Sequence, residues 1–103
     1  MKSREELQEK LEEALGSEYV YFQPPDGLQM TTGNRIVYSR EEIKFDKADN
    51  TKYRGYTRYS VTLISKDPDW SLVQEFPSLF MHCRHDRTYK SDNLNHDVYI
   101  IYY

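Results

Sequence analysis

At 103 residues, with 38% apolar and 30% charged side chains, the chain fits one domain, 1–103, built on a single modest core. Ten Tyr, four Phe and one Trp supply too much buriable ring surface for a disordered chain. A formal charge of −3 does not point to a nucleic-acid partner, and the lone Cys83 excludes an intrachain disulfide and suits a reducing compartment.

The opening, charged throughout from Met1 to Lys10, does not read as a signal peptide, and no apolar run approaches the roughly 18 residues of a membrane span. Ser3 followed by Glu6 forms a capping box, in which each side chain can satisfy a free backbone N–H at a helix start. Leu7, Leu11, Ala14 and Leu15 then share one stripe at helical spacing. Gly16 ends the helix, because it can take the left-handed conformation of a C-terminal cap. Tyr19 to Phe22 predicts a short strand stopped by Pro24-Pro25, and the turn-formers Asp26-Gly27 and Thr31 to Asn34 make 23–34 a loop.

Ile36-Val37-Tyr38 begins another strand, to which Ile43 and Phe45 belong unless they open the next one. Ala48-Asp49-Asn50 is a turn. In 56–65, Tyr59, Val61 and Leu63 alternate with Arg58, Ser60 and Thr62, the pattern of a half-buried antiparallel strand. Asp67 as N-cap, Pro68 at the first helical position and Asp69 at the positive end of the dipole predict a helix from Pro68 to Phe76, stopped by Pro77. Trp70, Val73 and Phe76 would form its buried stripe. Cys83 to Tyr89 and His96 to Tyr103 predict a hairpin linked by Lys90 to Asn95. The run from Val98 to Tyr103 is apolar on both faces, as in an interior strand or one covered by a partner. The order α-β-β-β-α-β-β predicts an α+β fold: a mostly antiparallel sheet with two helices packed on one face.

Charge is uneven. Residues 1–18 hold three basic and six acidic side chains, and residues 34–66 hold eight basic against four acidic. Identical subunits packing head to tail could use such polarity.

The densest group of chemical residues is His82, Cys83, His85 and Asp86. On a helix His82, His85 and Asp86 would share a face, with His96 as a further ligand, and a metal-dependent hydrolase could be built on them. On the predicted strand His82 and Asp86 point one way, Cys83 and His85 the other, and the cluster splits. No zinc-spaced ligand pair accompanies it. Cys83 with His96 and Asn95 has the residue types of a cysteine hydrolase, but a lone Cys in a core strand is more often a small buried apolar residue. The four glycines are scattered, so no loop frames a phosphate or an oxyanion. Asp92-Asn93-Leu94-Asn95-His96 is a shaped segment, since Asp and Asn side chains bond back to nearby backbone. It either fixes hairpin register or docks on a neighbouring subunit. The second reading makes Asp92, Asn93, Asn95 and His96 candidate interface residues.

Several stretches together resemble one family, the small tail-completion (tail-terminator, or neck) proteins of long-tailed bacteriophages and prophages of Gram-positive bacteria. They are Tyr21-Phe22-Gln23-Pro24-Pro25, Ile36-Val37-Tyr38-Ser39, Ala48-Asp49-Asn50 with Tyr53, and Arg58 to Ile64. Lys66-Asp67-Pro68-Asp69, Asp86-Arg87 with Tyr89, Asp92-Asn93-Leu94-Asn95-His96 and Tyr102-Tyr103 complete the set. Order and spacing over nearly the whole chain carry the likeness, with Lys-Asp-Pro-Asp and Asp-Asn-Leu-Asn-His its most specific parts. The stretch from Ser78 to His85 is longer than the family pattern has there. The resemblance implies a tail-terminator-like α+β fold and a homo-oligomeric ring, usually a hexamer. That ring would sit at the head-proximal end of the tail, end tail-tube polymerisation and contact both the tail tube protein and the head-completion or connector protein. It implies a virion location after assembly in the host cytoplasm, no catalysis and no cofactor; the residue pattern itself leads us to expect no metal site. A small non-enzymatic adaptor or regulatory domain is the competing expectation.

Overall fold

The computed structural model describes residues 3–25, 33–48 and 52–103, with side chains outside 43–48 and 52–55. The turn-formers at 26–32 and the turn at 49–50 lie outside the described residues. The architecture is α+β, in the order α1 (Arg4–Leu15), β1 (Val20–Phe22), β2 (Arg35–Ala48), β3 (Lys52–Ser65), α2 (Ser71–Glu75), a 3-10 helix (Phe76–Leu79), β4 (His82–Ser91) and β5 (Leu94–Tyr102). The five strands form one mixed sheet in the order β1-β2-β3-β5-β4. β1 runs parallel to β2, and the other neighbours are antiparallel.

α1 begins and ends where the local chemistry says it should. Ser3 Oγ accepts from the Glu6 backbone N–H at 3.2 Å, and Gly16 adopts φ 81°, returning its N–H to the Glu12 carbonyl. Leu7 and Leu11 are fully buried and pack on the face of the sheet formed by Ile36, Tyr38, Tyr59, Val61, Leu63, Tyr99 and Ile101. Leu72, Phe76 and Phe80 join that same cluster, so both helical segments cover one face. The Tyr38 hydroxyl would be costly to bury alone. It donates to Gln8 Oε1 at 2.5 Å, and Gln8 Nε2 donates onward to the Val20 carbonyl at 3.0 Å. α1 is thereby pinned to β1 and β2 together.

Alternation in β3 is as its sequence reads: Tyr59, Val61 and Leu63 are buried, and Arg58, Ser60 and Thr62 are half-exposed. The strand starts at Lys52, four residues before the predicted 56. Ile43 and Phe45 belong to β2, which runs on past a register shift at Glu41. β5 lies between β3 and β4, and Val98 to Ile101 are all at most 3% exposed. Its two apolar faces therefore mark an interior strand.

The second helix differs from expectation at both ends. It starts at Ser71 and not Pro68, with Trp70 in the N-cap position and no side-chain cap. Asp67 instead closes a turn of its own, accepting from the Asp69 N–H at 2.9 Å. Nor does Pro77 end the helical path, which continues as the 3-10 helix with Pro77 in its first turn. A proline there gives up no hydrogen bond. The β4–β5 link is shorter than Lys90 to Asn95. Ser91 pairs with Leu94, leaving two turn residues, Asp92 at φ 54° and Asn93 at φ 61°. Positive φ at both central positions is the type I′ turn, whose twist matches that of the strands it joins.

β2 and β3 outrun their neighbours. β1 pairs with β2 only at Ile36 to Tyr38. Gln23 extends that edge by one step, its side-chain oxygen taking the Arg40 N–H at 3.1 Å. On the other side β5 stops at Tyr102, opposite Arg58, and Tyr103 bonds Thr57. Beyond these points residues 44–48 and 52–56 pair only with each other among the described residues, as a ribbon roughly 17 Å long at about 3.4 Å per residue. The domain is correspondingly elongated, 51 × 27 × 22 Å.

Candidate functional site

Every residue singled out for chemistry falls on the β4–β5 hairpin, and strand geometry distributes them. His82 pairs with Tyr102 and sets its ring edge-on to Tyr56 at 5.7 Å, on the face away from the helices. Cys83 pairs with Ile101 and packs against the helix-side core. His85 shares that side, edge-on to Tyr99 at 5.1 Å. Asp86 sits in the register shift between His85 and Arg87 and accepts from Arg84 at 3.2 Å and Arg87 at 2.9 Å. His82 and His85 thus face opposite ways. Among the described residues no three His, Cys, Asp or Glu side chains are placed to hold a metal ion.

The cysteine-hydrolase grouping is also separated. Cys83 lies opposite Ile101, and His96 is five residues back along β5, roughly 17 Å at about 3.4 Å per residue. Burial pushes the Cys83 thiol up to about 11, so almost no thiolate is present at neutral pH.

The hairpin does assemble one polar cluster that residue types alone do not reveal. Thr88 and Asp97 are opposite each other. Thr88 Oγ1 donates to Asp97 Oδ1 at 2.5 Å, and His85 Nε2 lies 3.2 Å from the same oxygen and 3.0 Å from Thr88 Oγ1. Asp97 is 7% exposed. Asp, His and Thr together suggest a hydrolytic triad, but a relay needs the acid on one ring nitrogen and the nucleophile on the other. Here a single nitrogen meets both oxygens, so the cluster is a hydrogen-bonded knot that satisfies a buried carboxylate. The sequence does carry a signal for it: with the turn at Asp92-Asn93, each rung pairs residues equally far from the turn, which sets Thr88 against Asp97.

The proposed interface segment divides its duties. Asp92 and Asn93 form the turn. Asn95 Nδ2 donates to the Ser65 and Lys66 carbonyls, both at 3.3 Å, tying the hairpin to the end of β3. His96 contacts the Leu94 carbonyl through Nδ1 at 3.0 Å and stacks on Tyr89 at 4.7 Å and 13°. Asp92 and Asn93 are exposed, and Asn95 and His96 half-buried. At the other end of the hairpin Met81 is 91% exposed, beside an open depression of about 340 Å³ lined by Met81, His82, Cys83, Arg84, Ile100 and Tyr102.

Cys83 and Tyr99 give the fold an alkaline limit. Burial raises Tyr99 to about 12, with Asp97 and Cys83 adding to the effect, and its hydroxyl donates to the Val73 carbonyl. Unfolded, the two groups ionise near pH 9 and 10. Their contribution is full below pH ~9, where both states hold the protons, and is lost as pH rises toward 11 and 12, where only the folded state does. Thermal melts at pH 7 and 10.5 should show a clear fall, smaller in Cys83→Ala. An unchanged pH dependence in that variant would remove the thiol as a cause.

No protein-family model matches the chain, and no curated protein matches it. Among the described residues no helix is long and apolar enough to cross a membrane.

Proposed function

We propose that this chain is a structural, non-enzymatic tail-completion protein of a long-tailed bacteriophage or prophage. It would act as a ring of identical subunits at the head-proximal end of the tail. There it ends tail-tube polymerisation and joins the tube to the head connector, without cofactor, as part of the virion neck assembled in the host cytoplasm. The ordered sequence resemblance supports this reading, and it alone supplies the number six.

The structural observation that carries the ring is the β2–β3 ribbon. A two-stranded ribbon is marginal in water by itself, and this one leaves the outer edges of both strands without a partner among the described residues. Edges of that length invite pairing or packing with another chain. A head-to-tail contact between unlike patches closes into a ring when its rotation divides the circle, and a terminator must close because its task is to stop growth. On this reading the segment of Asp92, Asn93, Asn95 and His96 docks on a neighbouring subunit, with the exposed Asp92-Asn93 turn foremost.

The test is electron microscopy of assembled tails carrying a label on this chain, with light scattering of the free protein. Several copies in a closed ring at the head-proximal end are expected. A single copy there, or absence from virions, would overturn the reading; a free monomer that becomes a ring on the tail fits it.

A further inference from the structure

The outer face of α1 carries an unbalanced charge. Glu5, Glu9 and Glu13 are exposed and follow one another at i, i+4, a spacing at which like charges repel. The last turn holds no basic residue, so Glu12 and Glu13 also oppose the helix dipole. The helix has cations, but they are turned inward. The Arg4 guanidinium lies 4.6 Å above the Phe22 ring and donates to the Tyr38 hydroxyl at 3.4 Å. Lys10 Nζ lies 4.7 Å above Phe80 and 5.9 Å from the Tyr103 ring. Among the described residues no cation forms an ion pair with Glu5, Glu9 or Glu13. Apart from the attraction between Arg4 and Glu5, local repulsion along the outer face is left uncompensated.

The projecting ribbon has the opposite balance. Residues 44–48 and 52–56 include four basic residues, Lys44, Lys47, Lys52 and Arg54, against Asp46 alone. It is also the segment whose strand edges have no partner within the described chain. We propose that the basic β2–β3 ribbon of one subunit lies across the glutamate stripe of α1 on a second copy, head to tail. This deepens the ring reading above by naming the two surfaces that meet. The contact neutralises the stripe, covers a ribbon that is marginal alone, and joins unlike patches, so each subunit gives one and receives one. Its strength falls with salt, because salt screens charges beyond about 10 Å at 0.1 M.

Reversing charge on either side tests it. Glu5→Lys, Glu9→Lys and Glu13→Lys together give a chain basic on both surfaces. Lys44→Glu, Lys52→Glu and Arg54→Glu, at register positions on one face of the ribbon, together give one acidic on both. Sedimentation of the wild-type chain from micromolar to millimolar concentration should show association that weakens as salt is raised. Each triple variant alone should associate at least about tenfold more weakly, as like-charge juxtaposition demands. Mixed in equal amounts the two should regain association, since every contact is then between opposite charges, in alternating order. Circular dichroism melts confirm that each variant is folded before it is scored. A wild-type chain monomeric throughout, or a mixture no better than its components, would overturn the inference, as would a ribbon that binds heparin or duplex DNA while self-association is absent. The two readings fail separately. Charge-dependent association in a protein missing from virions sinks the tail role alone, and a ring on tails indifferent to both variants sinks this contact alone.

Discussion

Phe76→Ala should lower the midpoint of thermal unfolding by more than about 10 °C. Phe76 is fully buried at the junction of α2 and the 3-10 helix, with its ring 4.7 Å from Tyr99 and 5.2 Å from Phe80. It therefore joins three parts of the chain: the short helical segment, the interior strand β5 and the turn into β4. Truncating a buried Phe costs ~3–5 kcal/mol through lost burial and the cavity left behind, and the ring pairs add a share of their own. In a domain of this size each kcal/mol moves the midpoint by about 4–8 °C, and total stability is only ~5–15 kcal/mol. The loss should be sharpest here because α2 is five residues long, too short to hold its shape without packing. Phe76→Leu, which keeps much of the volume, should recover most of it. Thermal melts followed by circular dichroism decide the matter, and a fall below about 4 °C in Phe76→Ala would show that the junction is held by something else.

What could be read from the sequence was what is encoded locally. Ser3, the leucine spacing and Gly16 determine α1 within a dozen residues, and no distant contact competes with them. The two apolar faces of Val98 to Ile101 pointed to an interior strand or one covered by a partner, and the place of β5 between β3 and β4 is the first of these. The start of α2 was not legible, because Asp67 accepts from an N–H two residues on in a helix cap and in a free turn alike. Distant residues decide between them: Ser65 Oγ donates to Asn34 Oδ1 at 2.8 Å and accepts from the Asp67 N–H at 3.0 Å, while Asn95 holds the Ser65 and Lys66 carbonyls. With 65–67 fixed this way the helix begins only at Ser71. The splitting of His82 from His85 followed from strand alternation. The His85–Thr88–Asp97 knot was hidden by the register shift at Asp86: the rung of Thr88 with Asp97 is the same for a link of two residues or six, but only the extra residue puts His85 on the face of Thr88. The length of the ribbon was hidden for a similar reason, since β2 continues through an irregularity at Glu41 that breaks the alternation.

Asn93→Ala combined with Asn95→Ala should cost about 2 kcal/mol, a fall of about 8–16 °C for a domain of this size. A segment used only for docking would give far less, since surface changes usually stay within about 0.5 kcal/mol. Asn93 holds φ 61°, a left-handed conformation that Asn tolerates and Ala resists by ~1 kcal/mol or more. Asn95 holds two carbonyls at the end of β3, and removing a half-buried amide that serves both should cost ~1 kcal/mol. The two losses act on one hairpin, so their sum is approximate. The effect should also be structural, because the type I′ turn sets the pairing of Thr88 with Asp97 and of Tyr89 with His96. A loosened turn lets the strands slip, and a slip of one residue would carry Asp97 out of its bonds to Thr88 and His85. Amide exchange along β4 should therefore quicken more than exchange in α1, which is pinned separately through Gln8. Asn93→Gly should behave oppositely, matching or exceeding the wild-type melt, since Asp-Gly suits this turn. If the double variant melts within about 2 °C of the wild type, Asn93 and Asn95 are not what fixes the hairpin. Their role would then lie in contacts outside the subunit.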